Sequence, residues 1–335
     1  MKAVLFKKPK MLQIKDIDVP TITDGEVLVR NKYAGFCGTD LHIFNGDFLS
    51  EYPLIPGHEF CGIVEKIGVD VKNFNVGDKV VISPNICCNK CYYCNINQQN
   101  FCENFGGYGV TENGGFAQYS KILASNLIKI ENMDMKEAAM LEPLACVIYG
   151  LNKVKANYGE KALIFGAGPI GIIILQLLRI SKLSNITVVE IDKKKEEICM
   201  KFGADNFLIN NDKLDKNLKE ISNNGFDIII DATGQAKICE QIFQYANNNA
   251  RILLYGVCEM NSKISISPFL IYRKDLSAYG AFSYNRTMPA AIELVKNKKI
   301  HLKELISHEY GLVDFEKVLN TAIKGSFSKI LIDCY

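Results

Sequence analysis

The stretch Lys161-Ala-Leu-Ile-Phe-Gly-Ala-Gly-Pro-Ile-Gly171 constrains this chain more than any other. Apolar residues run from Ala162 to Phe165, then Gly166, Gly168 and Gly171 follow in the spacing G-x-G-x-x-G, and apolar and small residues continue to Ile180. That order predicts a buried strand, a tight turn and the start of a helix. Gly166 lets the backbone bend sharply, Gly168 presents no side chain to a phosphate, and Gly171 lets helix and strand pack closely. The helix that opens at Pro169 offers unpaired N–H groups, from Ile170 onward, to an anion. Glycines also mark ordinary turns, so the context decides. A second apolar run, Ile186-Thr-Val-Val-Glu-Ile191, ends in Glu190 with Asp192 beyond it. These acids lie roughly 20 residues after the glycines, where a ribose-binding carboxylate belongs. The stretch therefore reads as a dinucleotide site.

From about 155 to 280 strands and helices alternate. Strands are predicted at 161–165, 186–191, 206–209, 226–231, 251–256 and 276–280, and helices at 169–182, 193–203, 214–222, 235–247 and 267–274. Such alternation implies a doubly wound parallel sheet with helices on both faces. Ligands of such sheets sit beyond the carboxyl ends of the strands, so Thr233, Gly234, Tyr255, Gly256 and Val257 should border the cofactor. Residues 1 to about 145 instead read as β-rich, with strand-like runs at 4–6, 12–19, 26–36 and 60–67 and another within 73–82. Helical spacing follows at 135–152. The tail carries helices at 288–297 and 314–324, a segment at 302–306 and a last strand at 329–333, which should return to the first domain. The expected division is 1–150 with 281–335, and 151–280. The Asn-rich pieces 95–100 and 247–249 read as loops.

A chain of 335 residues is long for one core, which agrees with two domains. The net charge of +2 leaves no electrostatic footprint for nucleic acid or an anionic membrane. No apolar run is long enough to span a bilayer, and Met1–Pro9 reads as a first strand instead of an export signal. The expected location is cytoplasmic. Twelve cysteines in a reducing compartment point to metal rather than disulfides.

Cys88, Cys91, Cys94 and Cys102 stand as C-x2-C-x2-C-x7-C. This spacing lets one loop wrap four thiolates around a tetrahedral ion, a closed structural zinc site. Cys87 offers a second register for the first ligand, at the cost of the regular spacing. Cys61, Cys146, Cys199, Cys239, Cys258 and Cys334 lie mostly in apolar runs and read as core. A second constellation lies in Gly35-Phe-Cys-Gly-Thr-Asp-Leu-His42 and Pro56-Gly-His-Glu-Phe-Cys-Gly62. Cys37, His58 and Glu59, in turns between strands, form a three-ligand set of the kind that leaves a catalytic zinc one open position.

These segments, with Gly77-Asp-Lys-Val80, Leu141-Glu-Pro-Leu144 and Gly166-Ala-Gly-Pro-Ile-Gly171, occur in an order that resembles the zinc-containing medium-chain dehydrogenases over the whole chain. The resemblance implies a GroES-like β-rich catalytic domain and a Rossmann domain. It implies catalytic zinc ligands Cys37 and His58, with Glu59 binding directly or moving in and out. It puts Glu142 where polyol dehydrogenases carry a fourth carboxylate, direct or through water, with Cys146 nearby as the classical alcohol dehydrogenase alternative. Asp40 matches the acid that orients the histidine, and Thr39 and His42 match a proton relay. The implied chemistry is polarisation of a substrate hydroxyl by zinc, loss of its proton through Thr39, the cofactor ribose and His42 or through water at Glu59 and Glu142, and hydride transfer to nicotinamide. Two zinc ions per chain and NAD are expected. Glu190 should accept the 2′-hydroxyl and repel a 2′-phosphate, while Lys193, Lys194 and Lys195 could meet one. The resemblance is to sorbitol, xylitol and arabinitol dehydrogenases. Polyol phosphates are further substrates of this type, with L-threonine as an alternative and a non-catalytic zinc-ribbon protein as a remote one. A homodimer or homotetramer is expected, paired through the strand 250–255 and the run 264–272.

Overall fold

The strand Lys161–Phe165 lies inside a six-stranded parallel sheet. The strands run in the order Asn206–Ile209, Asn185–Glu190, Lys161–Phe165, Phe226–Asp231, Ala246–Leu254, Ser277–Gly280. Counted along the chain this is 3-2-1-4-5-6, and the order reverses between the strands ending at Phe165 and Asp231, where dinucleotides bind in such sheets. Leu163, Ile164, Ile229, Ile230, Ile252 and Leu253 are buried. They form near-continuous apolar runs because helices cover both faces. The computed structural model describes residues 1–48, 50–325 and 328–335.

The second sheet has seven strands and is organised by Glu26–Phe36. That strand pairs antiparallel with Glu59–Ile67, Tyr119–Leu123 and Lys329–Asp333. Lys79–Ile82, Leu127–Lys129 and Ile306–Gly311 complete the sheet. The tail returns because its apolar residues have partners here. Phe315 packs on Phe6, Phe36 and Phe116, with the Phe116–Phe315 ring centroids 4.9 Å apart. Burying such a ring contributes about 1.5–3 kcal/mol, and an aromatic pair about 0.5–1.5 kcal/mol more. Two compact units result, Met1–Pro143 with Met288–Tyr335, and Leu144–Thr287. The helix Leu141–Val154 begins in one and ends in the other, whereas the sequence placed the limits at 150 and 280.

Several expectations need correction. The helical stretch 135–152 is two helices, Met135–Ala138 and Leu141–Val154. The helix expected to reach 247 stops at Gln241 and continues as a tighter turn to Tyr245. Asn247–Asn249 lie in a strand, not a loop. They occupy the irregularity between the pairs Phe226–Ala246 and Ile228–Arg251, and Asn249 takes a left-handed φ of 60°. A bulge admits polar, left-handed residues that a regular strand would not. The strand expected to pair with another chain, 250–255, is interior to its sheet; Ser277–Gly280 is at the end. Among the described residues, the elements that carried too little pattern to be read include the helix Gly38–Asn45 and the strands Tyr119–Leu123, Leu127–Lys129 and Ile306–Gly311.

Candidate active site and metal centre

Three strand ends meet in the first unit. Glu26–Phe36 runs out into Cys37, Glu59–Ile67 opens just after His58, and Lys329–Asp333 opens on Lys329. Gly35 faces Glu59 on one side and Leu331 on the other. Glu59 is thus the first residue of a strand and not part of a turn. Cys37 caps the helix Gly38–Asn45, and its N–H donates to Asp40 Oδ2 at 2.8 Å. Asp40 is fully buried; its Oδ1 accepts the Gly57 N–H at 3.2 Å and stands 3.5 Å from His58 Nδ1. A histidine whose Nδ1 faces a carboxylate presents Nε2 as its ligand atom.

The donor atoms of Cys37, His58 and Glu59 all lie within 4.8 Å of one another. Lys329 is 5% exposed and ion-paired with Glu59 Oε2. Burial pushes the His58 imidazole down, but the charges of Asp40 and Cys37 outweigh it and hold it well above its ordinary value. Lys329 shows the same balance: burial works against its charge, and Glu59, Cys37 and Asp40 prevail. The acidic side chains here thus favour a positive charge at His58 and Lys329. A thiol, an imidazole and a carboxylate converging there fit a divalent zinc. Lys329 escaped the sequence reading. A lysine heading the apolar run Ile330-Leu-Ile332 was the one local sign.

The remaining expected residues fall around this set. Glu142 is 8% exposed in the first turn of Leu141–Val154 and is not among the three converging donors. Thr39 and His42 lie on the helix Gly38–Asn45; Cys37 Sγ is 3.7 Å from Thr39 Oγ1, and His42 Nδ1 is 3.2 Å from Asp47 Oδ1. Cys88, Cys91, Cys94 and Cys102 form the other group with all donors within 4.8 Å. The Lys90 and Cys91 N–H groups draw the Cys88 thiol down to about 6, and N–H groups of Glu103 and Cys94 lower Cys91. Cys94 moves up to about 12 because burial disfavours its charge. A dication among the sulfurs is what allows all four to ionise, so this set also fits zinc. Cys87 stays outside, its Sγ donating to the Gln99 carbonyl at 3.3 Å. Of the cysteines read as core, Cys61, Cys199, Cys239 and Cys334 are buried, but Cys146 and Cys258 are half-buried.

In the second unit Gly166 has φ +99°, and a Cβ on Gly171 would run into the Gly166 carbonyl. Gly168 caps the helix Pro169–Ile180, and a Cβ there would point into open space, the room a pyrophosphate needs. Ile170 lies in that helix's first turn. Glu190 Oε2 accepts the Ala167 N–H at 2.8 Å and meets Lys195 Nζ at 3.1 Å; Oε1 accepts the Ile191 N–H at 2.7 Å. Asp192 is turned to the Lys194 N–H at 3.0 Å. Thr233 and Gly234 follow the strand ending at Asp231, and Gly256 and Val257 follow the strand ending at Leu254. These residues lie at the carboxyl ends of their strands and fit a nicotinamide nucleotide.

Comparison with known proteins agrees with this geometry. Residues 23–132 match the alcohol dehydrogenase GroES-like domain, and residues 169–297 match the zinc-binding dehydrogenase domain. The D-arabinitol dehydrogenase 1 of Uromyces fabae is 33% identical, over 99% of this chain and 97% of its own. A structure from Sinorhizobium meliloti with NADP bound superposes with a TM-score of 0.94 at 27% identity, covering 99% of this chain and 98% of the other. An alcohol dehydrogenase from E. coli complexed with NADH gives 0.93 at 29% identity, covering 99% of both chains. The chain belongs to the zinc-containing medium-chain dehydrogenases and is like their polyol dehydrogenases. It is an oxidoreductase that uses zinc and a nicotinamide cofactor on a small-molecule secondary alcohol.

Proposed function

We propose that the protein is an NAD-linked polyol dehydrogenase of the cytoplasm, moving a hydride between a secondary alcohol of sorbitol, xylitol, arabinitol or a polyol phosphate and NAD. The observation that carries the reading is the buried convergence of Cys37, His58 and Glu59 beside Asp40 and Lys329. The likeness to an arabinitol dehydrogenase supports the substrate class. Cys37, His58 and Glu59, with Glu142, would hold a catalytic zinc, and Cys88, Cys91, Cys94 and Cys102 a structural one. Bound there, zinc supplies a Lewis acid for the substrate hydroxyl, and the nicotinamide supplies the hydride acceptor. Asp40 fixes the His58 ring. Lys329 neutralises Glu59 and keeps its carboxylate from being stranded as a lone buried charge. Thr39 and His42 carry the hydroxyl proton outward; His42, half-exposed and paired with Asp47, suits the outer end of that relay.

Glu190 supports NAD as the favoured cofactor, since a carboxylate repels a 2′-phosphate. Lys195 beside it reduces that repulsion. An oligomer, homodimer or homotetramer, is supported by the terminal strand Ser277–Gly280 and by Phe269 and the 81%-exposed Tyr272 on the neighbouring helix. Among the described residues no helix is long and apolar enough to cross a membrane. The test is a panel of polyols, polyol phosphates and threonine offered with NAD, following the absorbance of the reduced cofactor. Polyols should give the highest kcat/KM. Turnover confined to threonine would overturn the assignment.

A further inference from the structure

Cys239 and Cys258 belong to neither cysteine-containing metal set, yet their Sγ atoms lie 3.7 Å apart. Cys239 sits in the helix Ala236–Gln241, and Cys258 lies just beyond the strand Ala246–Leu254. Beside Cys239 stands Asp231, fully buried at the end of Phe226–Asp231. Its Oδ1 accepts Thr233 N–H at 3.0 Å and the Thr233 hydroxyl at 2.5 Å. Its Oδ2 accepts Gly234 N–H at 3.2 Å and the Cys239 thiol at 3.3 Å. Its backbone carbonyl accepts the N–H groups of Tyr255 at 3.0 Å and Gly256 at 2.9 Å. One residue thus ties together the two loops proposed to border the cofactor, and the thiol pair lies against that tie. The loops also touch directly, since a Cβ on Gly234 would collide with the Val257 backbone.

We propose that Cys239 and Cys258 are a peroxide-sensitive dithiol whose disulfide draws these loops together and weakens nicotinamide nucleotide binding. The effect on binding rests on the cofactor reading above; the dithiol itself does not. A disulfide has its sulfurs about 2.05 Å apart, so closure asks for a shift of about 1.7 Å, which side-chain rotation and small loop movements supply. The two cysteines differ in a way that orders the steps. Cys258 is half-buried and open to a small oxidant, whereas Cys239 is 3% exposed. Burial, with Asp231 adding to it, holds the Cys239 thiol up and protonated.

The Cys258 sulfur attacks the O–O bond of hydrogen peroxide, giving a sulfenic acid and one water. Cys239 sulfur then displaces the hydroxyl from Cys258 sulfur, forming the S–S bond, and its thiol proton leaves with that hydroxide as the second water. Two thiols have lost two electrons and one peroxide has gained them; a dithiol reductant reverses the change. Oxidation removes the Cys239 hydrogen bond to Asp231 and pulls Val257 with its neighbour, so the loops no longer hold the geometry that receives the cofactor. In a reducing compartment a disulfide of this kind is transient and sensing, not structural.

The test treats the zinc-loaded protein with hydrogen peroxide, alkylates the remaining thiols and maps tryptic peptides while zinc content is followed. Cys239 and Cys258 fall on separate peptides, 238–251 and 252–263, because Lys237, Arg251 and Lys263 bound them. The expected result is a cross-linked pair of these peptides and a rise in the NADH dissociation constant of about tenfold, the usual size of coupling between neighbouring sites. Dithiothreitol should restore the affinity, and Cys258→Ser should bind NADH normally before and after peroxide. Absence of the cross-linked pair overturns the proposal. A cross-linked pair with unchanged affinity, or a Cys258→Ser variant that loses affinity under peroxide, overturns the link to binding. Reduced protein that does not bind NADH at all refutes the cofactor reading instead, and the peptide map still judges the dithiol.

Discussion

Two groups of side chains that could hold a metal ion are built in opposite ways. Cys88, Cys91, Cys94 and Cys102 come from one short polar loop, in which Tyr92 and Phe101 are exposed and the regular elements are single turns. Cys37, His58 and Glu59 come from the ends of different strands of one sheet, held by the pairing of Gly35 with Glu59 and by the buried Asp40 and Lys329. The loop has little core of its own, so the cation would hold it. The strand ends are fixed by the sheet, so the sheet would hold the cation. A closed set of four sulfurs suits structure, and three mixed donors beside titratable neighbours suit chemistry. The difference teaches that one metal should matter to stability and the other to turnover.

The sharpest way to break this contrast is Cys37→Ala. Turnover should fall about a thousandfold or more, the several kcal/mol a Lewis acid contributes, while the melting temperature stays near the wild-type value. Unimpaired turnover would remove Cys37 from the site. Cys94→Ala should do the reverse. It should lower the melting temperature by about 10 °C and leave kcat of the folded fraction within a few-fold of wild type. Calorimetry and kinetics on the same sample check both. A stable, inactive Cys94→Ala protein would mean the two duties are exchanged.

Lys329→Met sharpens the sheet-held side. It leaves Glu59 buried without its cation, at a cost of about 3 kcal/mol in chemical denaturation, and zinc should reduce that loss by supplying another positive charge. An unchanged midpoint would show that the pair is not needed. Glu190→Gln is the smallest of the four. Michaelis constants measured for both cofactors should show the preference for NAD over NADP narrowing about tenfold. Burial opposes the charge on Glu190, but the Ala167 and Ile191 N–H groups and Lys195 outweigh it and hold the carboxyl below its ordinary 4.5. The folded protein thus stays ionised there while the unfolded chain takes up a proton. That contribution to stability is present above about pH 4.5 and is lost as pH falls through the lowered value. The variant should show a flatter acid limb in urea titrations, and an unchanged limb would remove Glu190 as its source.

The two sites also differ in how far the sequence disclosed them. The cysteine spacing places its four sulfurs on one loop, and local geometry alone brings them together. The parallel sheet was legible because its strands are buried on both faces and read as apolar runs, as in Ile228-Ile-Ile230. Gly166 and Gly171 were readable because a positive φ and a close approach admit little else. What escaped depends on pairing between distant segments. Lys329 meets Glu59 because both their strands flank Glu26–Phe36, and no local pattern encodes that. Asn247–Asn249 looked like a loop because a bulge puts polar residues where a strand is usually apolar. The helix Gly38–Asn45 is too short for periodicity to show, although it carries Thr39, Asp40 and His42.

The most direct measurement is zinc per chain, by plasma mass spectrometry, in wild-type protein and in Cys37→Ala. Two ions per wild-type chain and one in the variant, still folded, are the expected values. A wild-type chain that is fully active with a single zinc, or a variant that keeps both, would contradict the division between a metal that holds a loop and a metal that turns over an alcohol.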